Sequence, residues 1–134
     1  GRDLFQKFAN GTVAYAGKHS DLACCEWVEH KDFAGVFLKN VISAEQTGGL
    51  FSCHLVRIEP CHKIGLHTHP GSIELHEVIT GSGVCLVSQE TLPYAPGGMA
   101  VIACDAPHEV RAGKDGLCLF AKFVMAPTVI EKRP

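Results

Sequence analysis

The chain has 134 residues, of which 46% are hydrophobic and 19% charged, and its net charge is −2 with the histidines neutral. We expect residues 1–134 to form a single domain, because this length can bury a core without disulfides. The small net charge and the lack of a lysine- and arginine-rich run argue against a nucleic-acid partner. No apolar run approaches the roughly 18 residues of a membrane span, and no signal peptide precedes the first predicted strand. We therefore expect no membrane partner.

The N-terminal stretch RDLFQKFAN carries Leu4, Phe5 and Phe8 at helical spacing. This spacing predicts either one short helix or an arm that packs on a partner. The sequence does not decide between the helix and the arm. It also leaves open whether residues 1–49 add strands to the barrel or form an arm outside it.

After this stretch, short apolar segments alternate with turn residues along the chain. The segments are TVAYA, ACCEWV, GVFLKNVI, LFSCHLVRI, IELHEVI, GVCLV, MAVIAC, EVRA and LCLFAKFVM. Many short strands at this spacing predict an all-β sandwich or barrel. Within it, HEVRAGKDGLCLF predicts a hairpin that turns at GKDG, and TGSG at 80–83 predicts a β-turn.

The seven cysteines point to a reducing compartment. Their number is odd and no C-x-x-C occurs, so the sequence indicates neither a disulfide framework nor a zinc ribbon. Most lie in apolar segments, where a free thiol packs as a small hydrophobic group. We therefore expect seven thiols and a cytoplasmic location.

The stretch GLHTHPGSIELHEVITGSG, residues 65–83, carries the clearest chemical pattern. On a strand, residues two apart share a face, so His67 and His69 point the same way. The segment PGS permits a turn, after which Glu74 can return beside the two imidazoles. His108, at the start of a later strand, can supply a fourth group. Imidazoles with a carboxylate suit a transition metal ion such as Fe, Mn, Ni, Cu or Zn.

This pattern resembles the first motif of the cupins, H-x-H, four residues, glutamate, six residues, glycine, which ends here at Gly81. Cys61 replaces the leading glycine of that motif. The second motif is degenerate: Gly97 begins it and His108 is kept, but Ala103, Asp105 and Ala112 replace its proline, second glycine and asparagine. The resemblance covers about residues 50–125. It implies a jelly-roll barrel that holds one divalent metal ion through His67, His69, Glu74 and His108.

Other polar residues are weaker candidates. His76 shares strand parity with Glu74, so it is either a proton shuttle near the metal or a histidine satisfied by core hydrogen bonds. Glu77 faces the opposite side, as a surface group or a pair partner. The facing of His54 is ambiguous, His62 is expected in an exposed turn, and Arg57 is expected in an ion pair.

The resemblance leaves the activity open, because one fold hosts many functions. We expect a metal-dependent oxygenase acting on a small organic acid, enol, diketone or thiol, with His76 as the catalytic candidate. The alternative is a non-enzymatic module that binds a metal or small ligand, and a third reading is an isomerase or decarboxylase. Small cupins also imply a homodimer. The apolar interior, with Val78, Val110 and Phe123 as expected lining residues, favours a modest, mostly apolar ligand.

Overall fold

Residues 2–126 are described by a computed structural model, with side chains from residue 4 onward, and they form a jelly roll of antiparallel strands preceded by one helix. The helix α1 spans Arg2–Ala9, and two short 3-10 helices span Leu22–Cys24 and Ala44–Thr47. The strands are β1 Thr12–Tyr15, β2 Lys18–Asp21, β3 Val28–Glu29, β4 Val36–Ile42, β5 Phe51–Ile58, β6 Lys63–His67, β7 Ser72–Val87, β8 Glu90–Tyr94, β9 Met99–Ile102 and β10 His108–Met125. The all-β prediction is confirmed, and so is the short N-terminal helix.

Two long strands, β7 and β10, run through both layers of the barrel. The second half of β10 pairs with β5 and with the first half of β7, which pairs on its other side with β9. The first half of β10 pairs with β6 and with the second half of β7, which pairs with β8. The strands β3 and β4 extend the first layer beyond β5, while β1 and β2 form a separate hairpin.

The bend between the two layers explains why two predicted turns are wrong. The segments 80–83 and 113–116 both lie inside the continuous strands β7 and β10, so TGSG is not a β-turn and GKDG does not close a hairpin. Instead the register shifts between Ala112 and Leu117. Gly81 has a φ of 88°, and a Cβ there would clash with the carbonyl oxygen of Gly116. Glycine is therefore required at position 81, where β7 bends from one layer of the barrel into the other beside β10.

The core fills the space between the layers. Its fully buried members come from both long strands and from their neighbours: Val36, Ile58, Cys85, Val110, Leu117 and Leu119. Val78 and Val110 belong to this packed core and not to the wall of the cavity described below, so that part of the expected ligand lining is wrong. Phe123 does line the cavity.

The helix α1 covers part of the outer face of the β5-containing layer. Phe5 is buried against Leu55 and contacts Trp27, with ring centroids 5.7 Å apart. The buried Lys39 ammonium donates to the carbonyl oxygens of Ala9 and Leu22, each at 2.8 Å, and so satisfies the end of the helix. The N-terminal stretch thus packs on its own chain. Within residues 2–126, no helix has the length and apolar character to span a bilayer.

Candidate metal centre

Four segments meet and bring the candidate ligands together. The strand β6 ends at His67, the loop 68–71 carries His69, and β7 places Glu74 on its inward face. His108 begins β10 and lies directly opposite His67 in the sheet register. The Gly71 N–H donates to the Cys104 sulfur at 3.3 Å, which ties the loop that carries His69 to the turn before His108.

The four predicted ligands form one compact cluster. The candidate ligand atoms of His67, His69, Glu74 and His108 all lie within 4.8 Å of one another. Glu74 and His108 are buried, whereas His67 and His69 are partly exposed. The four side chains named from the sequence thus lie together, although His69 lies in a loop and not on the strand that the parity prediction assumed.

Backbone carbonyls fix the rings of two histidines. The Nδ1 atom of His67 lies 2.6 Å from the carbonyl oxygen of Gly65, and that of His108 lies 2.9 Å from the carbonyl oxygen of Ala106. A carbonyl only accepts, so each Nδ1 carries the proton. The Nε2 atom of His67 therefore keeps a lone pair for a metal ion, whereas the Nε2 atom of His108 donates to Glu74 and would bind a metal ion in place of that proton.

Glu74 is held from two sides by histidines. Its Oε2 accepts from His76 Nε2 at 2.8 Å, and its Oε1 accepts from His108 Nε2 at 3.0 Å. Because a carboxylate cannot donate, His76 carries its proton on Nε2, and its Nδ1 accepts from the Tyr94 hydroxyl at 2.8 Å. Cys85 in turn hydrogen-bonds to Tyr94. The Glu74 carboxylate is therefore oriented by His76, Tyr94 and Cys85 on one side and by His108 on the other.

These contacts set the charges of the site. Burial alone would raise the pKa of Glu74, but the hydrogen bonds from His108 and His76 outweigh burial and hold the pKa far below its ordinary value. Burial also opposes charge on His108, yet the Glu74 carboxylate and the Ala106 carbonyl raise its pKa. Desolvation lowers the pKa of His67 and of His69, so both stay neutral and keep a lone pair for a metal ion.

The donor set and its charge fit a divalent transition metal ion. The two ring nitrogens of His108 face acceptors, the Ala106 carbonyl at Nδ1 and the Glu74 carboxylate at Nε2. These acceptors stabilise a positive charge at Nε2. A metal ion would supply that charge in place of the proton. Metal–ligand bonds of about 2.0–2.2 Å separate opposite ligands by about 4 Å, close to the 4.8 Å spread of the cluster.

A small cavity opens beside the cluster, inside the barrel. It has a volume of about 190 Å³. The lining residues are mostly apolar or imidazole side chains: His30, Leu38, His54, Val56, Ile64, His67, His69, Glu74, His76, Leu119, Ala121 and Phe123. A void of this size next to the ligand cluster suits a molecule smaller than the usual drug-sized ligand.

The weaker sequence candidates lie either outside the site or in the wall of the cavity. Glu77 faces outward and pairs with Lys122, and Arg57 pairs with Glu59 at 3.7 Å, as expected. His62 is exposed, as predicted from its turn. His54, ambiguous in the sequence, lines the cavity.

Sequence reasoning missed two groups near the site. His30 lines the cavity and Tyr94 supports His76. Neither lies in the His67–Gly81 motif, and no local pattern signals them, because only the folded barrel brings the loop after β3 and the strand β8 to the site.

The two motif glycines that this chain lacks also have a structural counterpart. Cys61 and Asp105, which stand at those positions, adopt φ values of 62° and 67°. Both positions thus keep the left-handed backbone that glycine adopts most readily. The turn before His108 therefore has a left-handed residue at Asp105, where the motif has a glycine.

All seven cysteines lie within the described residues and are free in this structure, and seven thiols in the native protein stay a prediction. Cys24, Cys25 and Cys61 are exposed, which differs from the expectation that most cysteines fill the core.

Comparison with known proteins identifies a family and a fold. The cupin domain family matches residues 54–124. A predicted oxalate decarboxylase of Thermotoga maritima is similar with a TM-score of 0.69 and 20% identity, over 76% of this chain and 92% of that one. An RmlC-like cupin of Shewanella frigidimarina has a TM-score of 0.67 and 13% identity, over 83% and 93% of the two chains. Ectoine synthase of P. lautus has a TM-score of 0.64 and 21% identity, over 79% and 76%. No curated protein gives a significant match.

Proposed function

The chain belongs to the cupin family, and from that premise we propose that it binds one divalent transition metal ion through His67, His69, Glu74 and His108 and acts there on a small organic molecule. The observation that carries the proposal is the convergence of these four ligand atoms within 4.8 Å at the wall of a cavity. Fe, Mn, Ni and Zn all accept this mixture of imidazole and carboxylate ligands.

The proposed reaction class is oxygenation of a small organic acid, enol, diketone or thiol. A bound iron would supply oxygen chemistry and coordination positions beyond the four protein ligands. The protein's own contribution is to bind, orient and shield the substrate. Leu38, Val56, Leu119 and Phe123 form apolar walls that exclude water from the reacting groups.

His76 is proposed to act through Glu74. Both ring nitrogens are engaged, Nε2 by Glu74 and Nδ1 by Tyr94, so the imidazole holds the carboxylate in the orientation that a metal ion needs. That His76 takes a proton directly from a substrate stays a prediction.

The same hydrogen bonds favour a second function, a binding module without catalysis. A general base must have a free atom within reach of the substrate proton. His76, the catalytic candidate of the sequence, is occupied on both nitrogens. In this alternative the cavity binds a small ligand on the metal and releases it unchanged.

Metal analysis tests the proposal. Protein purified without chelator should contain about one equivalent of transition metal, following the single four-ligand site. His69→Ala and His108→Ala should each lower that content sharply, while His62→Ala, which removes an exposed histidine outside the cluster, should leave it unchanged. Full metal content in both ligand variants would refute the site.

An oxygen-uptake screen then separates the two functions. Iron-loaded wild-type protein is mixed with small diketones, 2-hydroxy acids and thiols in an oxygen electrode. Uptake that is absent in His108→Ala supports the oxygenase. Ligand binding without uptake supports the binding module.

A further inference from the structure

His54 lies in the cavity, one aromatic ring away from a proposed metal ligand. It stands on β5 with its side chain on the same inward face as Val56. The His54 ring meets Phe123 edge-on, with centroids 5.8 Å apart, and Phe123 meets His69 edge-on at 4.8 Å. Phe123 therefore spaces His54 from the metal cluster along one wall of the cavity.

The His54 imidazole has free hydrogen-bonding capacity. Among the described residues, neither of its ring nitrogens has a hydrogen-bond partner, although the side chain is partly buried. Neither nitrogen is among the fully buried unpaired atoms, so both can be reached by a molecule in the cavity that His54 lines. Desolvation lowers the pKa of His54, so the ring is neutral and offers one donor and one acceptor. A molecule in the cavity is the natural partner for both.

The charges around the cavity limit what that molecule carries. Glu74 is the one carboxylate among the described lining residues, and none of them is lysine or arginine. A divalent ion with one ionised carboxylate and neutral imidazoles has a net charge of about +1, by counting ligand charges. One negative charge on the ligand neutralises this site. A second one would be buried against apolar walls and a neutral imidazole, without a cation to compensate its desolvation.

We infer that His54 contacts the ligand and that the cavity selects a small monoanion, with one end on the metal ion and an uncharged polar group hydrogen-bonded to His54. The inference rests on the proposed function, since it needs the metal site. The cavity volume of about 190 Å³ lies below the roughly 300–1,000 Å³ that is usual for ligand sites. Such a volume holds a compact acid and not an extended one.

Two isosteric probes test the selection by charge. Malate and its 4-amide both carry a 2-hydroxy acid that can chelate a metal, and they differ only in a distal carboxylate or carboxamide. Each is titrated calorimetrically into zinc-loaded protein, because zinc has no redox chemistry. Wild-type protein should bind the amide at least about tenfold more tightly, since only malate buries an uncompensated second charge. Equal or tighter binding of malate, or binding of neither probe, would overturn the inference.

Variants of His54 test the contact itself. His54→Phe keeps a ring against Phe123 but removes both nitrogens, and it should lower the affinity for the amide about tenfold, which is 1.4 kcal/mol. His54→Gln retains a donor and an acceptor and should restore most of that loss. His19→Phe, a matched change on the exposed strand β2, should bind like wild type.

Zinc content distinguishes failure of this inference from failure of the proposed function. If every variant holds about one equivalent of zinc and His54→Phe binds the amide like wild type, the role of His54 is overturned and the metal site stands. If wild-type protein holds no zinc, both are overturned. If His54→Phe does not fold, His54→Leu replaces it, and the comparison of the two probes on wild-type protein still decides the selection by charge.

Discussion

At the scale of single residues, the site depends on groups that do not touch the metal position. Glu74 would be costly to bury as an unpaired charge, and the imidazoles of His76 and His108 offset that cost by direct hydrogen bonds. Tyr94 completes the arrangement, because its hydroxyl decides which nitrogen of His76 faces the carboxylate. The sequence motif contains the ligands, but their orientation depends on this support from β8.

Tyr94→Phe should weaken both the fold and the metal site. The change leaves His76 Nδ1 buried without its donor, which costs about 1–3 kcal/mol of unfolding free energy. Metal affinity should fall about 10- to 100-fold, as for other groups that orient metal ligands. Urea denaturation and a competitive metal titration measure the two effects. Tyr15→Phe removes a hydroxyl from an exposed tyrosine and should change neither. Unchanged metal affinity in Tyr94→Phe would show that the hydroxyl does not orient the site.

The thiols should fall into two reactivity classes. Burial raises the pKa of Cys53 and of Cys85, so at pH 8 they hold less thiolate than exposed cysteines do and are shielded as well. The exposed Cys24, Cys25 and Cys61 should react with a disulfide reagent quickly in the native protein. Mass spectrometry of peptides after short labelling identifies the modified sites. Rapid labelling of Cys85 in folded protein would contradict its burial in the core.

At the scale of elements, the two long strands carry the geometry. Because β7 and β10 pair with each other in both layers, Glu74 and His108 are both held in the sheet by backbone pairing, Glu74 opposite Phe123 and His108 opposite Val87. At the bend between the layers, the backbone of Gly81 lies so close to the carbonyl oxygen of Gly116 that Gly81 has no room for a side chain. The glycine that ends the first motif is therefore a structural residue at the corner of the barrel.

Gly81→Ala should destabilise the protein by about 2 kcal/mol or more, because it adds both left-handed backbone strain and a clash with the Gly116 carbonyl. Gly17→Ala is the matched control. Gly17 has a φ of 77°, but a Cβ at this position would have no other atom within 4 Å, so only the strain of about 1 kcal/mol applies. Thermal or urea unfolding of both variants gives the comparison. Equal losses would show that the corner tolerates a side chain.

At the scale of the whole molecule, no other part of residues 2–126 covers one stretch of outward sheet face, which exposes apolar side chains beside the Glu77–Lys122 ion pair. The helix α1 shields the β5 side of this face, but the edge strand β9 and its neighbours leave Met99, Val101 and Val124 exposed. An edge strand with exposed apolar residues invites pairing with another chain. This arrangement supports the homodimer expected from the family, which stays a prediction.

The homodimer prediction has a direct measurement. Light scattering of wild-type protein should give twice the chain mass, and Val101→Lys should shift the mass toward that of one chain by placing a charge in the apolar face. Leu66→Lys changes a similarly exposed residue on β6, in the other layer of the barrel, and should leave the dimer intact. A wild-type mass of one chain at all concentrations would show that the protein is a monomer.

The sequence by itself determined the strand-rich fold, the cluster of candidate ligands and the inward parity of His76, and the fold and the parity follow from local rules. Alternation with period two defines strand faces, and the spacing of His67, His69 and Glu74 places three ligands around one short loop. Their agreement with the cupin pattern extended this local signal to His108. The left-handed turns at Cys61 and Asp105 show that the chain keeps the backbone even where it lacks the motif glycines.

Only the tertiary structure decided which distant residues complete the site and where the chain bends. GKDG and TGSG have the composition of turns, but pairing of β7 with β10 along both layers extends these segments through the corner as strand. His30, His54 and Tyr94 join the site from the loop after β3, from β5 and from β8, elements whose neighbours are set by packing between layers. Local sequence cannot encode such contacts individually, because they form when the sheets close on one another and bury a shared core.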